Sequence, residues 1–310
     1  MTPTQARAFL AVALKGSFSA AARGLRVSQP TVTNQVKQIE RHYDVELFYR
    51  SGRGASLTPT GEALLPRIRT MFNSFEEANT FLDDLKGRRR GHLQIGSYGP
   101  YDVMNIVGRY RQRFPAVTLS VDFINSESLA EKLLNYELDV AVLGRIKRQP
   151  KFHTLPFSQP PLVVIAPRDS RWIGRQSVSA ADLKDEIIVR REPGSVARAS
   201  HDRFFEKANI PSSRIHQFGS REGVINAVAE GVGIGTIFDE GVLPEDRVVK
   251  LRIAGPPILS KVDVVCLANR RTNPLISGLF DIAQEILAEG GAASGRTAVR
   301  APARTAGKRR

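Results

Sequence analysis

SQPTVTNQVKQIERHY, residues 28–43, places Val32, Val36 and Ile39 at the i, i+4, i+7 spacing of one helix face. Ser28 is a suitable N-cap, and Pro30 falls in the first turn, where a missing N–H costs little. The proline therefore marks a helix start. The opposite face carries Thr33, Asn34 and Lys37, which are hydroxyl, amide and one cation, without the Glu/Lys pairs that dress a solvated helix. Upstream, Ala6, Phe9, Val12 and Ala13 have helical spacing that ends at Gly16, and SFSAAARGL (17–25) reads as a short helix of small side chains. Two helices joined by the short turn RVS form a helix-turn-helix pattern, which an ordinary helical hairpin also satisfies.

Downstream, Leu47–Tyr49 and Ala55–Leu57 flank the turn Ser51–Gly54, predicting a small hairpin or wing with Arg50 and Arg53 at its tip. A long helix follows Thr58, Pro59 and Thr60. Its residues Leu64, Ile68, Met71, Phe75, Ala78, Leu82 and Leu85 recur at alternating steps of four and three, a seam suited to pairing with another helix. A helix buried in a large core is the alternative. The basic run KGRRRG closes this segment.

From residue 91 the pattern becomes alternating strand and helix, HLQIGS to VVCLA, which predicts two similar α/β lobes with helices on both sheet faces and a cleft between them. The organisation read from the sequence is residues 1–60 as the winged unit and 61–90 as the linking helix. Residues 91–289 form the two-lobed part, with lobe I at about 91–161 and 262–289 and lobe II at about 162–261. Residues 290–310, without aromatic residues or periodicity, read as a disordered basic tail.

The formal charge of +14 is concentrated at the ends. Residues 1–90 hold 14 Lys/Arg against 8 Asp/Glu, residues 290–310 hold 6 against none, and the middle is nearly neutral. The asymmetry points to a polyanion for the ends and another partner for the middle. A single cysteine, Cys266, excludes an internal disulfide framework, and it sits in an apolar strand pattern unlike a nucleophile's setting. The five histidines lack metal-ligand spacing, no Gly-x-Ser-x-Gly elbow is present, and GVGIG at 231–235 follows a helix, the reverse of a phosphate loop. These readings imply no enzyme, no catalytic or metal site and no cofactor. The N-terminus lacks an apolar signal region and the apolar runs are strand-sized, so a cytoplasmic protein without a membrane partner is expected. An exported solute-binding protein, the other bearer of such lobes, is disfavoured on the same grounds.

The stretch from Phe9 to Leu65, with Gly16-Ser17-Phe18, Ala21-Ala22, Leu25, Ser28-Gln29-Pro30, Gln35, Glu40, Leu47-Phe48, Arg50, Leu57-Thr58 and Gly61, resembles the amino-terminal domain of LysR-type transcriptional regulators. The α/β remainder is similar to that family's periplasmic-binding-protein-like effector domain, including DVAV at 139–142 and GIG at 233–235. One departure is HYDVELF, where Asp44 stands at a glycine position and must adopt a left-handed turn. The resemblance implies a double-stranded operator, a small-molecule effector and RNA polymerase as partners, and a homodimer or homotetramer. It carries DNA contact onto Ser28, Gln29, Pro30, Thr31, Thr33, Asn34 and Lys37 in the major groove and onto Arg50 and Arg53 in the wing. It carries dimerisation onto Leu64, Ile68, Met71, Phe75 and Leu82.

In the same family ligands lie between the lobes, which singles out Ser97, Tyr98, Tyr101, Asn125, Ser126, Arg145, Ser195, Arg198, Ser220 and Arg221. Hydroxyls, arginines and helix N-termini suit an anion, although the same serines equally suit helix caps and the tyrosines ordinary packing. REPGSVAR (191–198) and SREGVINAVAEGVGIG (220–235) are also similar to regulators associated with 2-aminoethylphosphonate, which implies a phosphonate effector, with Glu127, Glu192 or Glu222 for its amine.

Overall fold

The structure is a computed structural model that describes residues 1–51, 54–85, 90–145, 149–206, 214–239 and 246–297. Of residues 50, 51, 83, 84 and 290–297 it describes the backbone alone. The chain divides into two units, Met1–Leu82 and Asp83–Arg310.

In the first unit, helices α1 (Pro3–Lys15), α2 (Phe18–Leu25) and α3 (Gln29–Tyr43) each start at a hydroxyl cap, namely Thr2, Ser17 and Ser28. Thr2 and Gln5 form a reciprocal capping box, and Gly16 ends α1 in the left-handed conformation at φ 62°. Asp44 adopts that conformation after α3, with φ 51° and ψ 52°, as the sequence requires of it. Ala21 and Ala22 are buried where α1 and α3 close on α2, and small side chains permit that approach. Phe9, Val12, Val32, Val36, Ile39, Leu47 and Phe48 fill the core between them. Strands β1 (Phe48–Ser51) and β2 (Gly54–Leu57) pair antiparallel as the wing, and the Ala55 N–H donates to Gly16 O at 2.8 Å, tying it to the α1–α2 turn.

Helix α4 runs from Pro59 to Leu85 and continues through Pro66, whose ring removes one intrahelical hydrogen bond. Its start is fixed by Thr58, whose hydroxyl donates to Glu46 O and accepts from the Gly61 N–H at 3.1 Å. A Cβ on Gly61 would lie 2.3 Å from Leu47 O, so only glycine lets α4 pass this close to the chain entering the wing.

The second unit holds two sheets. Lobe I is built from β3 (Gly91–Ser97), β4 (Val117–Phe123), β5 (Val140–Gly144) and β6 (Phe152–Ser158), joined by α5 (Pro100–Arg113) and α6 (Ser126–Leu134). Lobe II contributes β7 (Leu162–Pro167), β8 (Ser177–Val178), β9 (Ile188–Arg191), α7 (Val196–Phe205), β10 (Ile215–Phe218), α8 (Arg221–Ala229), β11 (Ile234–Phe238) and β12 (Val248–Ile253). The chain then returns to lobe I as β13 (Val262–Leu267) and ends in α9 (Pro274–Thr297). The sheet orders are β4-β3-β5-β13-β6 and β10-β9-β11-β7-β12-β8. Each sheet is parallel across its β/α half. Strands entering from the crossovers run antiparallel, β13 in lobe I and β7 in lobe II. The mostly parallel sheet expected from β/α alternation is therefore mixed, because crossing strands arrive from the opposite end. Buried Leu93, Ile95, Val140, Val142, Val264 and Phe280 form the lobe I core. Helix α9 extends past Gly290, where the tail was expected to begin, and residues 298–310 lie outside the described residues.

Candidate nucleic-acid interface and effector pocket

Helix α3 buries Val32, Val36 and Ile39, which turns its other face to solvent. Pro30, Asn34 and Lys37 are exposed there, and Thr33 is half-buried at the edge of that face. The first turn is pre-ordered. The Ser28 and Thr31 hydroxyls lie 2.8 Å apart, and Gln29 Oε1 accepts from the Ser19 hydroxyl of α2 at 2.7 Å. Amide and hydroxyl groups held on an exposed helix face match the donors and acceptors of major-groove base edges. Exposed Arg41 shares this face, four residues after Lys37 and seven after Asn34, although the sequence reading passed over it. The Arg50 backbone sits in β1 opposite Ala55, while its side chain and all of Arg53 lie outside the described residues.

The apolar row on α4 divides in two. Ile68 is buried in the core of the first unit and is not available to a second chain, while Leu64 packs beside it half-buried. This corrects the even seam expected from residues 64–85. Met71, Phe75, Leu82 and Leu85 are exposed, with Phe75 at 62% and Leu85 at 70%. A row of this kind is costly in water unless covered.

Between the lobes of the second unit lies a narrow cavity of about 20 Å³, with room for about one water molecule. Three helix starts converge on it, those of α6, α7 and α8. Asn125 caps α6, its Oδ1 accepting the Ser128 N–H at 3.0 Å, and Ser126 accepts the Gly144 N–H at 3.1 Å. Ser195 stands at the N-cap of α7 without making a side-chain cap bond, and it is buried against the cavity. Arg221 opens α8 and is 4% exposed, its guanidinium 4.4 Å from the centre of the Tyr101 ring. Arg191 also lines the cavity and is clamped by Glu192 at 2.7 and 2.8 Å. Val196, Ala197, Ile237 and Phe238 supply an apolar wall. None of the described lining residues is acidic. Gly194, at φ 83°, lets the β9–α7 loop press on lobe I, where an added Cβ would lie 3.0 Å from Glu127 Oε2. Behind Tyr98, Asp102 accepts from Ser158 at 2.6 Å, and burial raises its carboxyl above the usual range despite that bond.

Of the residues expected in the cleft, Tyr98, Asn125, Ser126, Ser195 and Arg221 line this cavity. The others do not, each for a visible reason. Ser97 is fully buried and donates to Gly99 O at 2.6 Å. Tyr101 lies under Arg221, and Ser220 spends its hydroxyl on the Gly223 N–H at 2.9 Å. Arg198 is held by Asp202, by Arg191 O and by Gln217. Arg145 opens onto a separate groove. The sequence reading did not name Arg191, Ser260 or the apolar wall as lining residues. Of these, Arg191, Val196 and Ala197 lay within REPGSVAR, a stretch already singled out.

Cys266 is buried, and burial pushes its thiol up to about 12. Among the described residues no three His, Cys, Asp or Glu cluster as a metal site would need, and no helix is long and apolar enough to cross a membrane.

Two family models match this chain. That for the bacterial regulatory helix-turn-helix protein, lysR family, covers residues 3–62, and that for the LysR substrate binding domain covers residues 86–288. The RuBisCO operon transcriptional regulator of Allochromatium vinosum is 32% identical over 87% of this chain and 91% of its own length. Full-length OxyR of Pseudomonas aeruginosa shares the fold with a TM-score of 0.73 at 23% identity, over 92% of this chain and 95% of that one. The regulatory domain of Synechocystis PCC6803 CcmR, solved in complex with 2-PG, gives a TM-score of 0.57 at 23% identity, over 64% of this chain and 97% of that one.

Proposed function

The chain belongs to the LysR family of bacterial transcriptional regulators, and on that premise we propose that a small anionic metabolite between its lobes controls how it acts at an operator read by α3. One observation carries the effector class. Three helix starts, the free-standing Ser195 N-cap and the Arg221 guanidinium converge on a cavity whose described lining holds no carboxylate. Helix N-termini and arginine together favour an anion over a cation. The narrowness of the cavity means that the ligand enters as the lobes part and is enclosed as they close, so binding and lobe geometry are coupled. That coupling is how occupancy would reach the DNA-binding unit. The CcmR regulatory domain, of the same fold, was solved with 2-PG, which makes that compound a natural probe.

A phosphonate such as 2-aminoethylphosphonate is the sharper candidate, since a phosphonate fits the donor set. Its amine finds no carboxylate in the described lining, because Glu192 is held by Arg191 and neither Glu127 nor Glu222 lines the cavity. A phosphonate or phosphate without an amine fits better on this ground. The exposed Met71, Phe75, Leu82 and Leu85 serve self-association as a homodimer or homotetramer, a cytoplasmic assembly that acts on operator DNA and RNA polymerase.

The test is a thermal-shift screen of 2-PG, 2-aminoethylphosphonate, methylphosphonate and a neutral polyol on the full chain, followed by calorimetry. A ligand that binds only the native state raises the melting temperature. Anions should raise it in the wild type and lose affinity in Ser195→Ala. A shift produced by the neutral polyol alone would contradict the reading.

A further inference from the structure

We propose that a second groove, beside the interlobe cavity and sharing no residue with it, binds a small organic anion carrying two or more negative charges and an apolar part. The groove is open to solvent, with a volume of about 600 Å³ against about 20 Å³ for the interlobe cavity. Arg145, Arg203 and Lys261 bring three cations to it. All three are exposed, and among the described residues none of them forms an ion pair. The acid next to Arg203 in sequence, Asp202, is already held by Arg190 at 3.2 Å and Arg198 at 2.7 Å. Three like charges around one groove repel one another, and a multivalent anion relieves that repulsion where separate monovalent ions do so poorly.

The apolar part of the ligand follows from the opposite wall. Phe204, Ile258 and Leu259 line the same groove, and Leu259 is 46% exposed. Ser200, 2% exposed, adds a hydroxyl to the lining. A solvated charge patch needs neither an apolar wall nor a buried hydroxyl, whereas a phosphorylated or polycarboxylated organic ligand uses all three.

The backbone holds the arginine in place. Arg145 has φ 49°, a left-handed conformation that non-glycine residues seldom adopt, and its N–H donates to Lys261 O at 2.8 Å. That bond joins the end of β5 to the returning crossover. The neighbouring residues Gly144 and Ser260 line the interlobe cavity, so a ligand in the groove bears on the same crossover between the lobes. Binding in the groove does not require that cavity to be filled.

The experiment is calorimetry of phenyl phosphate at pH 8 on the full chain, with inorganic phosphate and benzyl alcohol for comparison. The wild type should bind phenyl phosphate with an affinity that falls as salt rises, inorganic phosphate several-fold more weakly, and benzyl alcohol not at all. Arg203→Gln combined with Lys261→Gln should weaken phenyl phosphate at least tenfold, and Lys261→Gln alone about threefold, at an unchanged melting temperature. Ser195→Ala, in the interlobe cavity, should leave this affinity within twofold. No binding at millimolar phenyl phosphate, equal binding by the double variant, or loss in Ser195→Ala instead would overturn the proposal. A hexaglutamate peptide that excludes phenyl phosphate and binds much more tightly would overturn it in favour of a protein partner.

Discussion

Two serines that look alike in sequence, Ser195 and Ser220, should respond to alanine in opposite ways. Each sits at a helix N-cap. The Ser220 hydroxyl accepts the Gly223 N–H at 2.9 Å, whereas Ser195 makes no side-chain cap bond and is buried against the cavity. Ser220→Ala removes a working cap, which costs about 1 kcal/mol, within a range of about 0.5–2. For a unit of this size that lowers the melting temperature by about 2–4 °C per kcal/mol. Ser195→Ala removes no cap bond, so the ligand-free melting temperature should move by less than about 1 °C. Its loss appears with ligand. A hydrogen bond to a charged group contributes about 1.5–3 kcal/mol, equivalent to about 10- to 150-fold in affinity. Scanning fluorimetry without ligand and calorimetry with the best anion from the screen measure both quantities on the same preparations. If Ser195→Ala lowered the melting temperature as much as Ser220→Ala and bound the anion normally, the assignment of Ser195 to the ligand would fail.

Other perturbations probe the scaffold. Gly61→Ala drives a Cβ to within 2.3 Å of Leu47 O and 2.8 Å of Leu57 Cδ2, and should destabilise the first unit by about 1–3 kcal/mol in urea titration. Phe75→Glu with Leu82→Glu charges the exposed row on α4 and should shift sedimentation towards the monomer, with the circular dichroism spectrum unchanged. His201 is buried and bonds Thr236 at 2.7 Å, and burial lowers it to about 3. Because the folded value lies below the ordinary 6.5, the stability tied to neutral His201 is full above pH 6.5 and is lost as pH falls towards 3. His201→Asn should flatten the acid limb in that window by up to one proton, about 1.4 kcal/mol per pH unit.

The architecture was readable in the sequence because its signals are local and periodic. Capping serines, the Ala21-Ala22 pair and Pro30 mark the first unit, and β/α alternation marks the second. Sheet polarity was harder, since nothing within β7 or β13 records the direction of its neighbours. The α4 row misled because a heptad spacing does not say which chain covers it, and Ile68 is covered by its own unit. Pro66 inside α4 also escaped notice, because the seam spacing steps over it. At the pocket, residue type gave hydroxyls and arginines without their commitments. Ser97, Ser220 and Arg198 are already spent on internal bonds, while Arg191 and Ser260 enter through strand ends and a crossover that have no periodic signature.

The central claim is that the exposed face of α3 reads DNA, and fluorescence anisotropy of the full chain on a fragment it selects from genomic DNA tests this most directly. Asn34→Ala and Lys37→Gln replace exposed side chains, so folding and oligomeric state should be unchanged. Asn34→Ala should cost about 1–3 kcal/mol of preference for the selected fragment over unrelated DNA. Lys37→Gln should weaken binding to both and reduce the salt slope by about one per chain. Wild-type affinity, preference and salt dependence in both variants would contradict the account.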